Sequence, residues 1–335
     1  MSGSGRTVRG MVTLGAAVAV ATATAGPASA ELGRQPRPRV GTGSSAVAVT
    51  SPQTVIAVAG ANGRLYARKS TEASFRDLGG VLVDAPAVAY STTTHQTYYV
   101  VKGTSNALYI RTDTTPFSRL VPSVCRFAPA VGISGNQLTA ACIGTNYALY
   151  AGTTTLTGSG NPVIPQMVYQ GGIAVGGPAI SYSAGNTTPI FLVLNIHASA
   201  TGSNVSVRAA TDPPGAYVQV DERCADQLDI QPVPTTTTDK YFFGCRNGDP
   251  SFNSTDALYY EWLGAGTTPV AETDGVIRGR VGIAAALDGS NAIFYVTGAN
   301  GHVYSKQVVT GAATGGPFTY IGGLARPGVA AATIG

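Results

Sequence analysis

The chain of 335 residues carries 21 Lys and Arg against 17 Asp and Glu, so only 11% of it is charged, where roughly 25% is usual for a soluble domain. With 43 glycines and an ordinary 44% hydrophobic share, the missing charge has gone to Gly, Ser, Thr and Asn. That composition excludes a coiled coil, which needs charged flanking positions, and a charged disordered chain.

From the N-terminus, Arg6 and Arg9 precede an uncharged run from Met11 to Ala25, and Ala28-Ser29-Ala30 then offers a small-x-small cleavage pattern. Residues 1–30 read as a secretory signal, because the run is short of the ~20 residues a membrane span needs and is rich in Ala, Gly and Thr. Cleavage removes two Arg and no acid, taking the formal charge from +4 to +2. Such a balance gives no counterion-release drive toward nucleic acid. Residues 31–44, with Arg34, Arg37 and Arg39 beside Pro36 and Pro38, form a flexible leader; residues 45–335 are a single domain. The expected location is extracellular, with no membrane span after cleavage.

One phrase then recurs: a Pro-small-apolar run, a second apolar run, a Gly/Asn turn, Leu-Tyr, and a short polar strand. The first copy has Ser45–Thr50, Thr54–Ala59, the turn Gly60-Ala61-Asn62-Gly63, Arg64–Lys69 and Ser74–Leu78, closed by Gly79-Gly80. Later copies start at Pro86, Pro129 and Pro178; a divergent fifth is marked by Tyr241–Cys245 and Ala257–Tyr260, and a sixth begins at Val281. At the third strand, Tyr66, Tyr109, Tyr150, Val207, Tyr259 and Tyr304 are 43, 41, 57, 52 and 45 residues apart. Four short strands in ~40 to 50 residues is the size of a propeller blade. Gly-Ala-Asn-Gly occurs at both 60–63 and 298–301, and its Asn-Gly predicts a tight two-residue hairpin. No window beyond the signal has a 3.6-residue period, so helix content is expected to be close to nil. The fold class is all-β: a propeller of four-stranded antiparallel blades. Ala325–Ala332 repeats a first strand, so either it closes a ring of six blades or it opens an abbreviated seventh.

Four cysteines in an exported chain allow three pairings. In an up-and-down blade the start of strand one and the end of strand two share one end of the sheet, which predicts Cys125 with Cys142 and Cys224 with Cys245. No Cys-x-x-Cys or His cluster suggests a metal instead, and no cofactor is expected.

Catalysis would require carboxylates on or beside inner strands. Ala46–Thr50, Ala87–Ser91, Ala130–Ser134, Ala179–Ser183 and Val281–Ala286 contain none. Asp84, Asp221, Glu222, Asp229 and Asp274 are assigned to loops, and His95, His197 and His302 stand alone, so a non-catalytic protein is expected. Period-two alternation turns the Tyr after each Leu, at Tyr66, Tyr109, Tyr150 and Tyr259, and Tyr304 after Val, toward the adjacent blade. These rings then either pack between blades with the hydroxyl on backbone, or form a wall for stacking sugars.

The phrase Gly-x-Asn-Gly-x-Leu-Tyr, then an aromatic-led strand ending Leu-Gly-Gly, then Pro-Ala-Val, occupies Gly60–Tyr66, Phe75–Gly80 and Pro86–Val88. It resembles the repeat of the tectonin-like and PLL-type bacterial lectin propellers. The resemblance spans nearly the whole mature chain and is clearest in the first, second and sixth units. It implies a secreted or toxin-associated protein that binds sugars in clefts between blades. Where that family commonly has Leu-Trp and further Trp, this chain has Leu-Tyr with Phe75, Phe117 and Phe318, and Trp262 is its one Trp. The expectation is a monomeric extracellular module for neutral glycans, with Tyr66, Tyr109 and Tyr304 as candidate ligand-binding residues. The alternatives are a scaffold for a protein partner and a glycoside hydrolase with loop carboxylates.

Overall fold

The computed structural model describes residues 52–182, 187–195, 203–225, 227–233, 240–248, 256–263, 270–285, 289–309 and 315–334. The expected signal, leader and strand Ser45–Thr50 lie outside the described residues, as does His197. Among the described residues there are 23 strands and no helix.

Apolar runs of Val, Ile, Ala and Tyr form the strands, and Gly, Asn and Thr form the turns between them, as their propensities require. The first three strands are β1 (Thr54–Gly60), β2 (Leu65–Lys69) and β3 (Arg76–Gly79). A four-stranded sheet follows: β4 (Ala87–Ser91), β5 (Gln96–Lys102), β6 (Ala107–Thr112) and β7 (Ser118–Val124). The next holds β8 (Ala130–Ser134), β9 (Gln137–Ile143), β10 (Leu149–Thr155) and β11 (Val168–Gly171). Then come β12 (Ala179–Tyr182), β13 (Pro189–Asn195), β14 (Ser203–Ala209) and β15 (Val218–Cys224). The fourth such sheet is β16 (Asp229–Val233), β17 (Lys240–Arg246), β18 (Leu258–Leu263) and β19 (Val270–Ala271). Last are β20 (Ile277–Ala285), β21 (Asn291–Gly298), β22 (His302–Val309) and the 15-residue β23 (Thr319–Thr333). Every pairing is antiparallel, so the protein is a β-propeller with blades of four antiparallel strands.

β23 belongs to two sets of strands. Thr319–Leu324 pairs with β22, and Val329–Thr333 pairs with β1 in the register Val329↔Val58 to Thr333↔Thr54. The repeated first strand at the end of the chain therefore lies innermost beside β1 and covers its edge. The inner strands β4, β8, β12, β16, β20 and β23 touch in that cyclic order, and β23 meets β4 again. Apolar layers fill the space between neighbouring sheets. One joins Tyr98, Val100, Leu108 and Ile110 to Leu138, Ala140 and Cys142; another joins Phe242, Leu258 and Tyr260 to Ile283 and Phe294.

Two placements correct the sequence reading. Asp229 opens the inner strand β16 and is buried, while Asp221 and Glu222 lie within the outer strand β15, not in loops. The Gly-Ala-Asn-Gly turn is a three-residue hairpin, not a two-residue one. Gly63 N donates to Gly60 O (2.8 Å), Gly60 N donates to Arg64 O (2.9 Å), and Gly63 takes φ +77°, a turn followed by a left-handed residue that forms a bulge. Asn106, Tyr147 and Asp256 adopt the same left-handed φ at the matching positions.

Cys125 pairs with Cys142 and Cys224 with Cys245, each across a Cα–Cα distance of 5.7 Å. Cys125, just after β7, and Cys224, the last residue of β15, are each bonded to the second strand of the following sheet.

Candidate functional site

The turn that ends each second strand also places the tyrosine that follows it. Asn62 Oδ1 accepts from Arg64 N (3.1 Å), and its Nδ2 donates to the Tyr66 hydroxyl (3.0 Å). Asn300 repeats both bonds, to His302 N (3.1 Å) and the Tyr304 hydroxyl (2.8 Å). Asn146 reaches the Tyr150 hydroxyl at 3.1 Å, and Ser105 Oγ lies 3.3 Å from that of Tyr109. The hydroxyls therefore meet turn side chains, not the backbone.

Beneath each ring is a glycine at the end of the second strand. A Cβ on Gly60 would lie 2.5 Å from Tyr66 Cε2, and one on Gly103 or Gly298 would lie 2.8 Å from the ring of Tyr109 or Tyr304. The seat thus requires glycine for close approach, not for backbone freedom. Pinned at the hydroxyl and seated on backbone, each half-buried tyrosine turns one side toward the connector arriving from the preceding sheet.

Three pockets open there. Tyr66, Asn62 and Phe75 face Gly322, Gly323 and Leu324 around about 520 Å³. Tyr109, Gly103 and Phe117 face Gly80 and Val81 around about 240 Å³. Tyr304, Asn300 and Phe318 face Asp274, Gly275 and Val276 around about 360 Å³. In each, the phenylalanine just before the outer strand (β3, β7 or β23) rests on a glycine of the opposite wall, at 3.2 Å for Phe75 on Gly323, 2.6 Å for Phe117 on Gly80 and 3.1 Å for Phe318 on Gly275, measured to the position of an added Cβ.

The remaining repeats differ in what meets the ring. Tyr150 keeps its seat on Gly144 and meets Tyr169 edge-on at 5.7 Å, as Tyr304 meets Tyr320 at 5.8 Å. Tyr259 is fully buried, its ring tilted against Phe243 at 6.0 Å. In the β12–β15 sheet the matching residue is Ser206, not Val207. The bridges Ala174↔Asn195 and Leu82↔Gly103 equate Asn195 with Gly103, so Val205, paired with Leu194, takes the place of Leu108, paired with Lys102. Trp262 lies in β18.

Two residues past the tyrosine position stands a cation in four repeats, and each reaches the preceding sheet. Arg68 donates to Ile321 O, Arg111 to Leu78 O and Arg208 to Gln170 Oε1. Lys306 instead donates to both Asp274 oxygens (3.0 and 2.9 Å) and lies 3.3 Å from Glu272. In the β8–β11 sheet this position is Gly152, and Ile164 of the β10–β11 connection fills the space.

At the same end of the sheets, the axis carries a polar cluster. Arg280 donates to Pro129 O (2.8 Å) and to Asp229 Oδ1 (3.3 Å), and the Asp229 oxygens also accept from Ile230 N and Ile283 N, both at 3.0 Å. Burial raises the Asp229 carboxyl above its usual range, and Arg280 and these backbone donors oppose that shift. Asp84 accepts from Lys102 Nζ (2.8 Å) and Gln227 Nε2 (3.4 Å). His95 is exposed in the β4–β5 hairpin, and the His302 ring donates from Nδ1 to Gly323 O (2.8 Å). Among the described residues no group of three or more His, Cys, Asp or Glu is placed to hold a metal ion.

No protein-family model matches the chain, and no curated protein is similar to it in sequence. Solved structures share its fold. A lectin from Aleuria aurantia, AAL, solved as a mutant in complex with Fucalpha1-6GlcNAc, matches with a TM-score of 0.56 at 12% identity, over 81% of this chain and 93% of that one. The BP39L lectin from Burkholderia pseudomallei matches with a TM-score of 0.50 at 15% identity, over 81% of each chain. TolB from Acinetobacter baumannii matches at 0.54 and 10% identity, over 84% of this chain but only 66% of that one. At such identities the likeness is one of fold, which hosts unrelated functions.

Proposed function

We propose that this protein is a secreted, monomeric, six-bladed propeller that recognises neutral carbohydrates and catalyses no reaction. The cyclic contacts of six inner strands support a count of six blades, with β23 contributing to both the last and the first. The observation that carries the recognition reading is the repeated pocket. Three times a tyrosine, pinned by an Asn or Ser of its turn and seated on glycine, faces a cleft to the neighbouring blade; those at Tyr66 and Tyr304 have the volume of a small-ligand site, and that at Tyr109 is smaller. A fixed aromatic side beside backbone and amide groups suits the C–H face and hydroxyls of a sugar. The lectin neighbours support this reading, and AAL is described with a fucosylated sugar. The carboxylates Asp84, Asp229 and Asp274 each face a cation, Lys102, Arg280 or Lys306, an arrangement that favours structural roles over acid–base work.

The test is glycan-array screening followed by calorimetry on Tyr66→Ala, Tyr109→Ala and Tyr304→Ala. Each substitution should remove one class of site or weaken it roughly three- to tenfold, in keeping with about 0.5–1.5 kcal/mol per aromatic contact. The triple variant should bind no sugar while melting within a few degrees of the parent. Undiminished sugar binding by the triple variant, or polysaccharide turnover abolished by Asp84→Asn or Asp229→Asn, would overturn the reading.

A second reading, a scaffold for a protein partner, has one observation in its favour. Val81, Val124, Ile173, Val276 and Leu324, all at the connectors between sheets, are 45–61% exposed and present aliphatic surface at one end of the propeller. An array without hits, together with a single protein retained from secreted material and lost on Val81→Ser and Leu324→Ser, would decide for it.

A further inference from the structure

The three pockets share their walls and differ in charge. At the connector, the pockets of Tyr66 and Tyr109 have Gly322-Gly323 and Gly79-Gly80, every one of these glycines at left-handed φ. The pocket of Tyr304 has Asp274-Gly275, and neither residue adopts that conformation. Of the three, this pocket alone has an ionisable carboxylate among its described lining residues.

The groups behind Asp274 leave its charge in excess. Lys306 is buried and bonds both Asp274 oxygens, but it is also within 3.3 Å of Glu272, which is buried too. Glu272 Oε1 accepts from the Tyr260 hydroxyl (2.9 Å) and from Gly315 N (2.8 Å), and neither donor brings charge. Two carboxylates thus share one ammonium, a formal balance of −1. The Lys306 ammonium is enclosed, 4.6 Å above the Phe318 ring, whereas the Asp274 side chain is 44% exposed. Arg278, on the strand leaving the pocket, turns toward Asp256 at 3.7 Å. A ligand in this pocket meets negative charge beside the aromatic side chains Tyr304 and Phe318, a pairing that favours a cation on an otherwise sugar-like body.

Resting on the carbohydrate reading above, we infer that the Tyr304 pocket selects sugars carrying a free amine, while the Tyr66 and Tyr109 pockets take neutral sugars. The amine would sit against Asp274, replacing water on the carboxylate lone pairs that Lys306 leaves open.

Calorimetry with the glucosamine trimer and the N-acetylglucosamine trimer, at a pH where the amine is charged, tests this. The parent protein should bind the amine form about fivefold more tightly at one class of site, a size suited to a partly exposed ion pair, and the preference should shrink as salt is raised. Asp274→Asn, and Asp274→Gly, which restores the Gly-Gly of the sister pockets, should abolish the preference and leave binding of the neutral trimer at the Tyr66 and Tyr109 pockets, which lack Asp274, unchanged. Tyr304→Ala should remove the amine-selective class and leave Tyr66 and Tyr109 sites in place. Equal affinity for both trimers in the parent, or a preference that survives Asp274→Gly, would overturn the inference while leaving the carbohydrate reading standing. If the parent binds neither trimer and no sugar on the array, both fall.

Discussion

Tyr99, Tyr217 and Tyr260 hold their protons far above the ordinary phenol range because burial penalises the phenolate. At Tyr99 the neighbouring Asp113, and at Tyr260 the neighbouring Glu272, push the same way, and Tyr217 is pushed up to about 12. For an acid whose pKa is raised in the fold, stability is fully present below the unfolded pKa, near 10, and is lost as pH rises through the folded values. Phenolate absorbance should therefore show a fraction of the 16 tyrosines ionising only together with unfolding, and denaturant stability should fall steadily above about pH 10. Smooth titration of all tyrosines near pH 10 in folded protein would contradict these burials. At this scale the sequence is informative wherever a local phrase does the work. Tyr66, Tyr109 and Tyr304 stand out because Asn, Gly and Tyr lie within a few residues of each other. Their connector partners do not, because Leu324 meets Tyr66 only through the closure of the ring, and Asp274 differs from Gly79 and Gly322 by a substitution whose effect depends on Lys306.

At the level of strands, the disulfides do covalently what apolar packing does elsewhere. Cys125 N donates to Asn106 O (2.8 Å) just as Leu82 N donates to Gly63 O (2.7 Å), so Cys125 occupies the connector position that buried Leu82 holds in the preceding repeat. The bonds close loops of 17 and 21 residues, and removing either pair by Cys→Ala should cost roughly 3 kcal/mol in urea unfolding. An unchanged urea midpoint in both double variants would show that packing alone holds these connectors. Strands with unbroken apolar runs, such as β1, β5 and β9, are legible in the sequence, and so is the disulfide pairing that depends on them. β16 is not, since Asp229 and Pro232 interrupt its pattern and the need for Asp229 arises from Arg280, 51 residues later. The turn repeat is likewise masked where Asn106, Tyr147 and Asp256 adopt a conformation that Gly63 and Gly301 announce openly.

For the whole molecule, the decisive element is β23. Truncation after Leu324 removes the strand paired to β1 and leaves an apolar edge uncovered, so the product should aggregate instead of eluting as a monomer in gel filtration. Gly328→Ala is the milder form. Gly328 has φ +110°, and a Cβ there would lie 2.8 Å from that of Ala85, so about 1–3 kcal/mol should be lost without loss of solubility. A truncated chain that stays monomeric and melts like the parent would contradict closure by this strand. Both ends of the described chain meet beside this element. Thr54 pairs with Thr333 and Ile334 N donates to Gln53 O, whereas Gly60, which lines the Tyr66 pocket, is at the other end of the same strand beside Ala325. A tag, fusion partner or surface linkage joined through Ile334, or through the chain that precedes Gln53, would therefore attach at the end of the sheets away from the pockets. The molecule can be immobilised by either route with its three clefts still open to solution.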